Sequence, residues 1–375
     1  MASQGVAEQQ VPGDIRALFT TSPPPVSSED AERVARACFP GSVACAPLSG
    51  ERDANFRVTR ADGSILTLKF INCAEQVAET EMQVEVLKHL RDTMPVQAPH
   101  HQPIDPAGLA ALSGSQAGQA STGPTLDWIQ YRPLSGGHRI RVRAYGYLPG
   151  APGTNLQADP RSWRAVGRTA AILDRTLQQF DHPAAHRKFL WDACQVLDLR
   201  PLLNAVESLA VRQVIAEFLA LFEHRVTPVL DKLPRQVIHN DLSPSNILVE
   251  EDGLELAGIL DFGDMVYAPR IAEIAIAGSY LMTYSLDPMR ALDGVVTGYC
   301  EVSPLHAMEH AHLLDLVLAR LAQRMVITAW RAARFPGNRD YIMRSHDAAT
   351  ALFNRLYPDW RAAQGSRSFP SNAES

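Results

Sequence analysis

One stretch of the chain, residues 239–263, carries the residues best suited to chemistry; it reads HNDLSPSNILVEEDGLELAGILDFG. Asp241 could orient a hydroxyl group and accept its proton. Asn246 and Asp261 supply the oxygen ligands that Mg²⁺ prefers. Phosphoryl transfer from a nucleotide needs these parts, because the protein contributes positioning and charge neutralisation rather than covalent chemistry. The pattern therefore predicts transfer of the γ-phosphate of ATP or GTP to a hydroxyl group, with Mg²⁺.

The residues between Asn246 and Asp261 are expected to form a β-hairpin. Two apolar runs, 247–249 and 254–260, flank an acidic turn that ends in Asp-Gly, which is a strong hairpin signal. A hairpin returns the chain to its starting point, so Asn246 and Asp261 could hold one cation. The ordered pair of motifs, with a five-residue step from Asp241 to Asn246, is far more specific than either motif alone.

A small lobe of strands is predicted before this stretch. Residues 43–71 contain three strand-like runs, and Lys69 lies inside the last of them, ILTLKFI. Burying a lysine is costly unless its charge is used, and in kinases a strand lysine holds the nucleotide phosphates. The alternative is a lysine on the solvent face of an edge strand. Residues 74–91 have helical spacing, and kinases use a glutamate of such a helix to hold the strand lysine. Glu81 and Glu85 lie one turn apart on it; Glu81 is the predicted partner of Lys69, and a solvated charged face is the alternative.

Beyond residue 160 the apolar spacing is helical, and the predicted fold class is α+β with two lobes. The predicted organisation is a disordered tail at 1–25, a nucleotide-binding lobe at 26–148 with a flexible insertion at 105–124, a catalytic and acceptor-binding lobe at 149–361, and a disordered tail at 362–375.

Composition narrows the classes of partner. The 375 residues carry a net charge of −6, so nothing indicates the basic face of a nucleic-acid-binding protein. No apolar run approaches the roughly 18 residues that a membrane span needs. The 5 cysteines are scattered without a CxxC pair, which predicts free thiols and a cytoplasmic protein. We predict a small-molecule partner, no nucleic acid and no membrane, and leave the oligomeric state open.

The central motifs, HNDLSPSN and ILDFGD, resemble those of the aminoglycoside phosphotransferase and choline kinase superfamily. Residues 259–282, ILDFGDMVYAPRIAEIAIAGSYLM, are more particular and resemble hydroxylysine kinases and their bacterial relatives. The resemblance covers most of residues 28–360. It differs from protein kinases, which place an arginine where this chain has Asn240. It implies a protein-kinase-like bilobal fold, with antiparallel strands plus a helix in the small lobe and a larger, mainly helical lobe.

Three further roles are implied by the resemblance. The segment YGYLPG at 145–150 is similar to the superfamily's hinge, where main-chain groups meet the purine, so Tyr147 and Leu148 are expected to contact the nucleotide. Glu273 occupies the position of an acidic residue that braces the catalytic loop, which is a structural role. The resemblance also makes 5-hydroxylysine the leading acceptor.

The acceptor site is expected between the catalytic loop and the C-terminal helices. Asp264 and Glu309 could hold an amino group, while Arg320 and Arg324, one helical turn apart, could clamp a carboxylate. Aromatic rings that could assist by cation–π contact are Trp191, Tyr280 and Tyr284. A cationic amine together with a carboxylate describes a hydroxy-amino acid, although core packing or a surface ion pair would explain each residue equally well.

Two alternatives stay open. Within enzymes, the acceptor could be an aminoglycoside, homoserine, choline or an aminosugar. Outside enzymes, the chain could be a nucleotide-binding pseudokinase that keeps the fold without turnover. Joint retention of Lys69, Asp241, Asn246 and Asp261 argues against the second alternative.

Overall fold

The computed structural model describes residues 15–366 except 92, 95–96, 113–116, 155, 157–158 and 251–255. The chain forms two compact units. The first takes the described residues up to Lys88 together with Pro99–Tyr147, and the second takes His89–Ala98 and the chain from Leu148 onward. The division after Tyr147 lies one residue from the predicted boundary, whereas His89–Ala98, predicted to belong to the first lobe, counts with the second unit.

The first unit is organised around an antiparallel sheet. Its strands are β1 (Ser42–Leu48), β2 (Ala54–Arg60), β3 (Ile65–Phe70), β4 (His101–Gln102), β5 (Ala117–Ala120), β6 (Ile129–Tyr131) and β7 (Ile140–Gly146). Their order is β1-β2-β3-β7-β6-β5, with β4 also paired to β7. Lys69 on β3 stands opposite Asn55 on β2 and Arg143 on β7, so side chains of the three residues share one face of the sheet.

The first unit also contains helices, of which the one at Ser28–Cys38 packs on the sheet. They are α1 (Ala17–Thr20), α2 (Ser28–Cys38), α3 (Val77–Arg91), which continues past the division at Lys88, and α4 (Pro106–Ala111). Helix α2 begins with a capping box in which Ser27 and Asp30 satisfy each other's backbone N–H groups. Its apolar face, which includes Val34 and Cys38, belongs to the same buried cluster as Phe56 and Val58 of β2.

Two segments of this unit, one predicted to be a disordered tail and one a flexible insertion, contain regular elements. Within the predicted tail 1–25, residues Ala17–Thr20 are helical and Phe19 is buried, while 1–14 lie outside the described residues. Within the predicted insertion 105–124, α4 and β5 are regular elements. A Cβ at Gly108 would lie 2.6 Å from the Ala37 carbonyl oxygen, so glycine permits α4 to pack directly on α2.

The second unit is mainly helical. Its strands are β8 (Ala151–Pro152), β9 (Arg235–Ile238), β10 (Ile247–Val249), β11 (Leu256–Ile259) and β12 (Val266–Pro269). Its helices are α5 (Pro160–Leu177), α6 (Leu209–Arg225), α7 (Thr227–Leu230), α8 (Ile271–Thr283), α9 (Pro288–Cys300), α10 (Ala307–Arg334), α11 (Arg339–Met343) and α12 (His346–Ser366), with 3₁₀ turns at Pro183–His186, Ala193–Ala205, Phe262–Asp264 and Pro336–Asn338. The α+β class, with an antiparallel-sheet unit and a helical unit, is the predicted kinase-like fold.

Strands β10 and β11 form the predicted hairpin, in which Ile247 pairs with Ile259, although the acidic turn at 251–255 lies outside the described residues. Strand β12 pairs with β9. Helix α12 extends to Ser366, so the predicted disorder is wrong for 362–366, and 367–375 lie outside the described residues.

The core of this unit is built around α8 and α10, which pack against each other and whose inner faces are almost completely buried. Helix α5 crosses α9 closely because Gly167 and Gly298 leave room for the backbone of the opposite helix. In the described part of the chain, no helix is both long and apolar enough to cross a membrane. The cysteines are free thiols, as predicted.

Candidate active site

The 239–246 loop connects β9 to β10, and its backbone is held by Glu273 at the start of α8. Oε2 of Glu273 accepts hydrogen bonds from the backbone N–H of His239 at 2.6 Å and of Asn240 at 3.2 Å. Glu273 is completely buried. Burial raises the pKa of its carboxyl, while the two backbone donors oppose that shift. This is the bracing role that the resemblance implied.

The His239 ring joins this loop to the segment that follows the hairpin. Its Nδ1 accepts from the Asp241 backbone N–H at 3.2 Å, and its Nε2 donates to the Leu260 carbonyl at 2.9 Å. These contacts require a neutral imidazole with its proton on Nε2. The ring also meets Phe262 edge to face at 4.8 Å. One side chain therefore fixes the two sequence motifs relative to each other.

Both motifs contain a strained backbone position. Asn240 has φ +65° and Asp261 has φ +59°, and they are the non-glycine residues with positive φ in the described chain. Asparagine and aspartate tolerate this region better than other side chains. Asn240 also donates through Nδ2 to the Asp264 carbonyl at 3.0 Å. Strain of this kind concentrates at functional sites, where the surrounding structure enforces it.

Asp241 is held from two sides. Its Oδ2 accepts from Asn246 Nδ2 at 2.7 Å, and its Oδ1 accepts from Arg320 Nη2 at 2.9 Å. The Asp241 side chain is 22% exposed, whereas that of Arg320 is 1% exposed. The carboxylate therefore has a fixed orientation and one accessible side, as a group that orients an incoming hydroxyl requires.

The residues present fit a magnesium ion. Asn246 uses the nitrogen of its amide on Asp241, which leaves the amide oxygen as the end that could bind a cation. The Leu260 N–H donates to the Asn246 carbonyl at 2.8 Å and ties the loop to the residue before Asp261. Two protein oxygens are enough for Mg²⁺, which takes phosphate oxygens and water for the rest of its shell. Among the described residues, no group of three or more His, Cys, Asp or Glu side chains forms a protein-only metal site.

Arg320 and Arg324 of α10 differ from the predicted clamp. Arg320 donates to Asp241 and, through Nη1, to the Trp191 carbonyl at 2.8 Å, so most of its guanidinium is used by the protein. Burial lowers its pKa, but Tyr280, Asp241 and Asp264 raise it, and the net direction is upward. Arg320, predicted to bind the acceptor, instead contacts the candidate catalytic carboxylate of Asp241.

Arg324 has a different set of contacts. Its Nη1 donates to the Ser279 carbonyl at 3.2 Å and to Thr283 Oγ1 at 2.8 Å. Its guanidinium lies over the Tyr280 ring, with 4.4 Å from Cζ to the ring centroid. The side chain is 1% exposed, yet Nε and Nη2 have no hydrogen-bond acceptor among the described residues.

The other predicted acceptor residues separate into two groups. Glu309 is fully buried and forms a two-pronged ion pair with Arg270 at 2.8 Å, so the prediction that it holds a substrate amine is wrong. Asp264 is buried beside Arg320 and raises the pKa of that guanidinium. Trp191 and Tyr280 lie against Arg320, at 4.7 Å and 5.8 Å from its Cζ.

In the first unit, Lys69 is buried, as a lysine whose charge is used would be. Its Nζ lies 2.9 Å from Asp53 Oδ2, and Asp53 Oδ1 accepts from the Asn72 N–H at 2.7 Å. Glu81 is exposed on α3, so the prediction that it pairs with Lys69 is wrong. Burial and the Asp53 charge raise the pKa of the nearby Glu75, while Lys69 lowers it.

Arg143 is a second buried cation on the same face of the sheet. Its Nη2 donates to Gln83 Oε1 at 2.5 Å, and its charge acts on Glu75. Gln83, rather than Glu81, thus contacts the strands from α3. In this unit two cations, Lys69 and Arg143, are accompanied by two carboxylates, Asp53 and Glu75.

The predicted hinge residues lie at the end of β7. The Tyr147 N–H donates to the Ile65 carbonyl at 3.1 Å, so this donor is used within the sheet, and the ring stacks on the Arg57 guanidinium at 5.4 Å. Leu148 is buried in the second unit, against Gly258. The main-chain contact to a nucleotide stays a prediction for both residues.

Sequence reasoning missed two residues of these clusters. Asp53 lies in the turn between β1 and β2, and the register that pairs Ala54 with Phe70 brings it to Lys69. A correct hairpin register could have found it. Arg187, whose Nη2 donates to the Gly263 and Met265 carbonyls at 2.6 Å and 3.2 Å, carries no local sequence signal.

Taken together, an aspartate on a braced loop, an asparagine five residues later and an aspartate after a hairpin define the class of kinase-like phosphotransferases. The comparisons with known proteins are more specific. A family model described as "Phosphotransferase enzyme family" matches residues 44–312. The chain belongs to this family.

Within this family, the chain is similar to hydroxylysine kinases. The chain is 29% identical over 317 residues to a hydroxylysine kinase of Mus musculus, covering 79% of this chain and 80% of that protein. It is 28% identical over 320 residues to a hydroxylysine kinase of Danio rerio, covering 83% and 85%. These relatives and the family show that the chain is a small-molecule kinase that phosphorylates a hydroxyl group with a nucleotide as co-substrate.

Solved structures support the fold. A microcompartment-associated aminopropanol kinase has a TM-score of 0.66 at 19% identity, covering 89% of this chain and 98% of that chain. The GDP complex of an aminoglycoside 2'-phosphotransferase has a TM-score of 0.58 at 14% identity, covering 87% and 98%.

Proposed function

We propose that this protein transfers the γ-phosphate of ATP or GTP to the hydroxyl group of a small hydroxylated amino acid, with 5-hydroxylysine as the leading acceptor. The observation that carries the proposal is the fixed Asp241 carboxylate, in a chain that matches hydroxylysine kinases over about four fifths of both lengths. Homoserine, choline, an aminoglycoside or an aminosugar are the alternative acceptors within the same chemistry.

Asp241 is the proposed catalytic residue. It accepts a hydrogen bond from the acceptor hydroxyl, whose oxygen bonds to the γ-phosphorus as the bond to the β–γ bridging oxygen breaks. The hydroxyl proton passes to the Asp241 carboxylate, and the nucleoside diphosphate leaves. Arg320 and Asn246 keep the carboxylate in place throughout.

The remaining roles follow from the same chemistry. Asn246 and Asp261 would hold Mg²⁺, which would neutralise phosphate charge when bound. Lys69 is proposed to bind the nucleotide phosphates, and Tyr147 and Leu148 to meet the base through their main chain. Asp264 stays a candidate for the acceptor amine, whereas Glu81 and Glu309 are removed from the site.

The test is nucleotide consumption with Mg²⁺, using ATP and GTP in turn, against 5-hydroxylysine, homoserine, choline, ethanolamine and kanamycin. Turnover confined to 5-hydroxylysine would support the proposal, and chelation of Mg²⁺ should abolish it. Turnover with another acceptor would keep the phosphotransferase chemistry and discard the substrate. Tight binding of the Mg-nucleotide without any turnover would favour the pseudokinase alternative.

A further inference from the structure

Arg320 and Arg324 lie one turn apart on α10 but are held by different kinds of group. Arg320 has an anionic partner, Asp241, at 2.9 Å. The acceptors on Arg324 are neutral, namely the Ser279 carbonyl and the Thr283 hydroxyl. A buried guanidinium that donates only to neutral groups keeps an uncompensated charge, which is costly in a protein interior.

The unused donors of Arg324 have a defined geometry. Nε and Nη2 are the two nitrogens without an acceptor among the described residues, and they form one edge of the guanidinium, with parallel N–H bonds. This is the edge that binds a carboxylate in a bidentate manner. Burial lowers the pKa of Arg324, but an arginine stays protonated in proteins, so the edge presents a positive charge.

Aromatic rings join Arg324 to the candidate catalytic residue. The Tyr280 ring lies 4.4 Å from Arg324 Cζ and 5.8 Å from Arg320 Cζ, so it contacts both guanidiniums. Tyr284, which lies near Arg324, is 48% exposed. Trp191 and Tyr280 are partly exposed, so this aromatic layer is the side of the cluster that meets solvent.

The spacing sets the length of the ligand. Arg320 reaches Asp241 from one turn before Arg324, and residues four apart on a helix are separated by about 6 Å. An acceptor with its carboxylate at Arg324 and its hydroxyl at Asp241 therefore needs several bonds between them. In 5-hydroxylysine a four-carbon stretch separates the carboxyl carbon from the hydroxyl oxygen, which suits this distance.

We infer that Arg324 determines specificity by binding the carboxylate of the acceptor through its Nε and Nη2 edge, whereas Arg320 is a positioning residue for Asp241. The inference rests on the proposed kinase function and adds which residue recognises the carboxylate that distinguishes a hydroxy-amino acid from an amino alcohol. It divides two arginines that the sequence treats alike into one that recognises substrate and one that orients the carboxylate.

The kinetic test uses two acceptors that differ only in the carboxylate, 5-hydroxylysine and 1,5-diaminopentan-2-ol. The natural protein should favour 5-hydroxylysine in kcat/KM by about 100-fold, the gain of a bidentate charged contact. Arg324→Met should collapse this ratio toward one, mainly through KM. Arg320→Lys should instead lower kcat for both acceptors, because it loosens Asp241.

Arg331→Met is the matched control. Arg331 is also buried on α10, two turns further along, and lies over Phe335 rather than Tyr280. This variant should keep the natural ratio of the two acceptors. An Arg324→Met protein that also keeps the natural ratio would overturn the inference while leaving the kinase function intact, and so would a natural protein that uses both acceptors equally.

A measurement without turnover separates this inference from the proposed function. 5-Hydroxylysine should raise the thermal midpoint of the natural protein more than the diamino alcohol does, and Arg324→Met should remove the difference. Without ligand, Arg324→Met should unfold at or above the natural midpoint, because it removes an uncompensated buried charge. A natural midpoint that 5-hydroxylysine does not move, together with a markedly lower midpoint for Arg324→Met, would show that Arg324 is structural and overturn the inference, whether or not any acceptor is phosphorylated.

Discussion

The charged cluster at Lys69 and the charged cluster at Asp241 contain similar groups but balance their charge differently. In the first unit, Lys69 meets the carboxylate of Asp53, and Glu75 lies beside them. In the second unit, Arg320 meets Asp241, but Arg324 donates only to neutral oxygens. The first cluster supplies its own counter-charge, whereas the second has a cation whose counter-charge is expected from a ligand.

Arg143 shows why an incomplete set of hydrogen bonds is not enough to identify a ligand site. It also has two nitrogens without an acceptor among the described residues, Nε and Nη1, but its Nη2 is used by Gln83. Nε and Nη1 do not form a bidentate edge, and Glu75 lies close enough to offset the charge. Arg324 differs because its bidentate edge is intact.

The largest effect is expected at the carboxylate of the second cluster. Asp241→Asn removes the group that accepts the hydroxyl proton, so kcat should fall by about 100- to 10,000-fold. Binding of the Mg-nucleotide should change little, because Asn246 and Asp261 are retained. Single-turnover kinetics and nucleotide titration measure the two quantities separately. Full activity of Asp241→Asn would mean that the proposed mechanism is wrong.

The second effect concerns the balance of the first cluster. Lys69→Met leaves Asp53, whose side chain is only 10% exposed, without its cation, which should lower the free energy of unfolding by about 3–5 kcal/mol and weaken nucleotide binding. The double variant Lys69→Met/Asp53→Asn should recover part of that stability, as a double-mutant cycle by denaturant unfolding would show. Strictly additive losses would contradict the pairing.

A pH dependence should appear in the Lys69→Met protein. The pKa of Glu75 is already raised by burial and Asp53, and removal of the Lys69 charge removes an opposing influence. A carboxyl whose folded pKa is raised stabilises the fold at low pH and loses that contribution as pH rises through the folded value. The loss in free energy of unfolding caused by Lys69→Met should therefore be larger at about pH 8 than at about pH 5.5. If thermal unfolding shows the same loss of stability at both pH values, titration of Glu75 does not contribute to it.

The sequence predicted the local parts of both clusters. Asp241, Asn246 and Asp261 come together because a short loop and a hairpin bring them together, and both features have strong local signals. Lys69 was predicted because a lysine inside an apolar strand is exceptional. In each case the deciding contacts are made within about 25 residues of chain, which spacing can specify.

The long-range parts could not be predicted. The predicted pairing of Glu81 with Lys69 is wrong because helical spacing gives a period but does not specify which helix face meets the sheet. The face that meets the sheet carries Gln83. The pairing of Arg320 with Asp241 joins positions 79 residues apart and depends on how α10 packs on α8. The composition of 105–124 predicts a flexible segment and does not indicate that Gly108 permits close packing of α4 on α2.

The smallest predicted effect concerns the neutral hydrogen-bond acceptors of Arg324. Thr283→Val removes one hydroxyl acceptor from a guanidinium that keeps the Ser279 carbonyl, so the free energy of unfolding should fall by about 1 kcal/mol. Because Arg324 would be held less firmly, KM for 5-hydroxylysine should rise a few-fold while kcat changes little. Thr297→Val on α9 is a suitable control, since it makes the same change away from Arg324. A loss of about 3 kcal/mol or more is the loss expected for breaking a buried ion pair. It would mean that Thr283 stabilises the charge of Arg324 about as well as a carboxylate would, and the contrast between the two clusters would disappear.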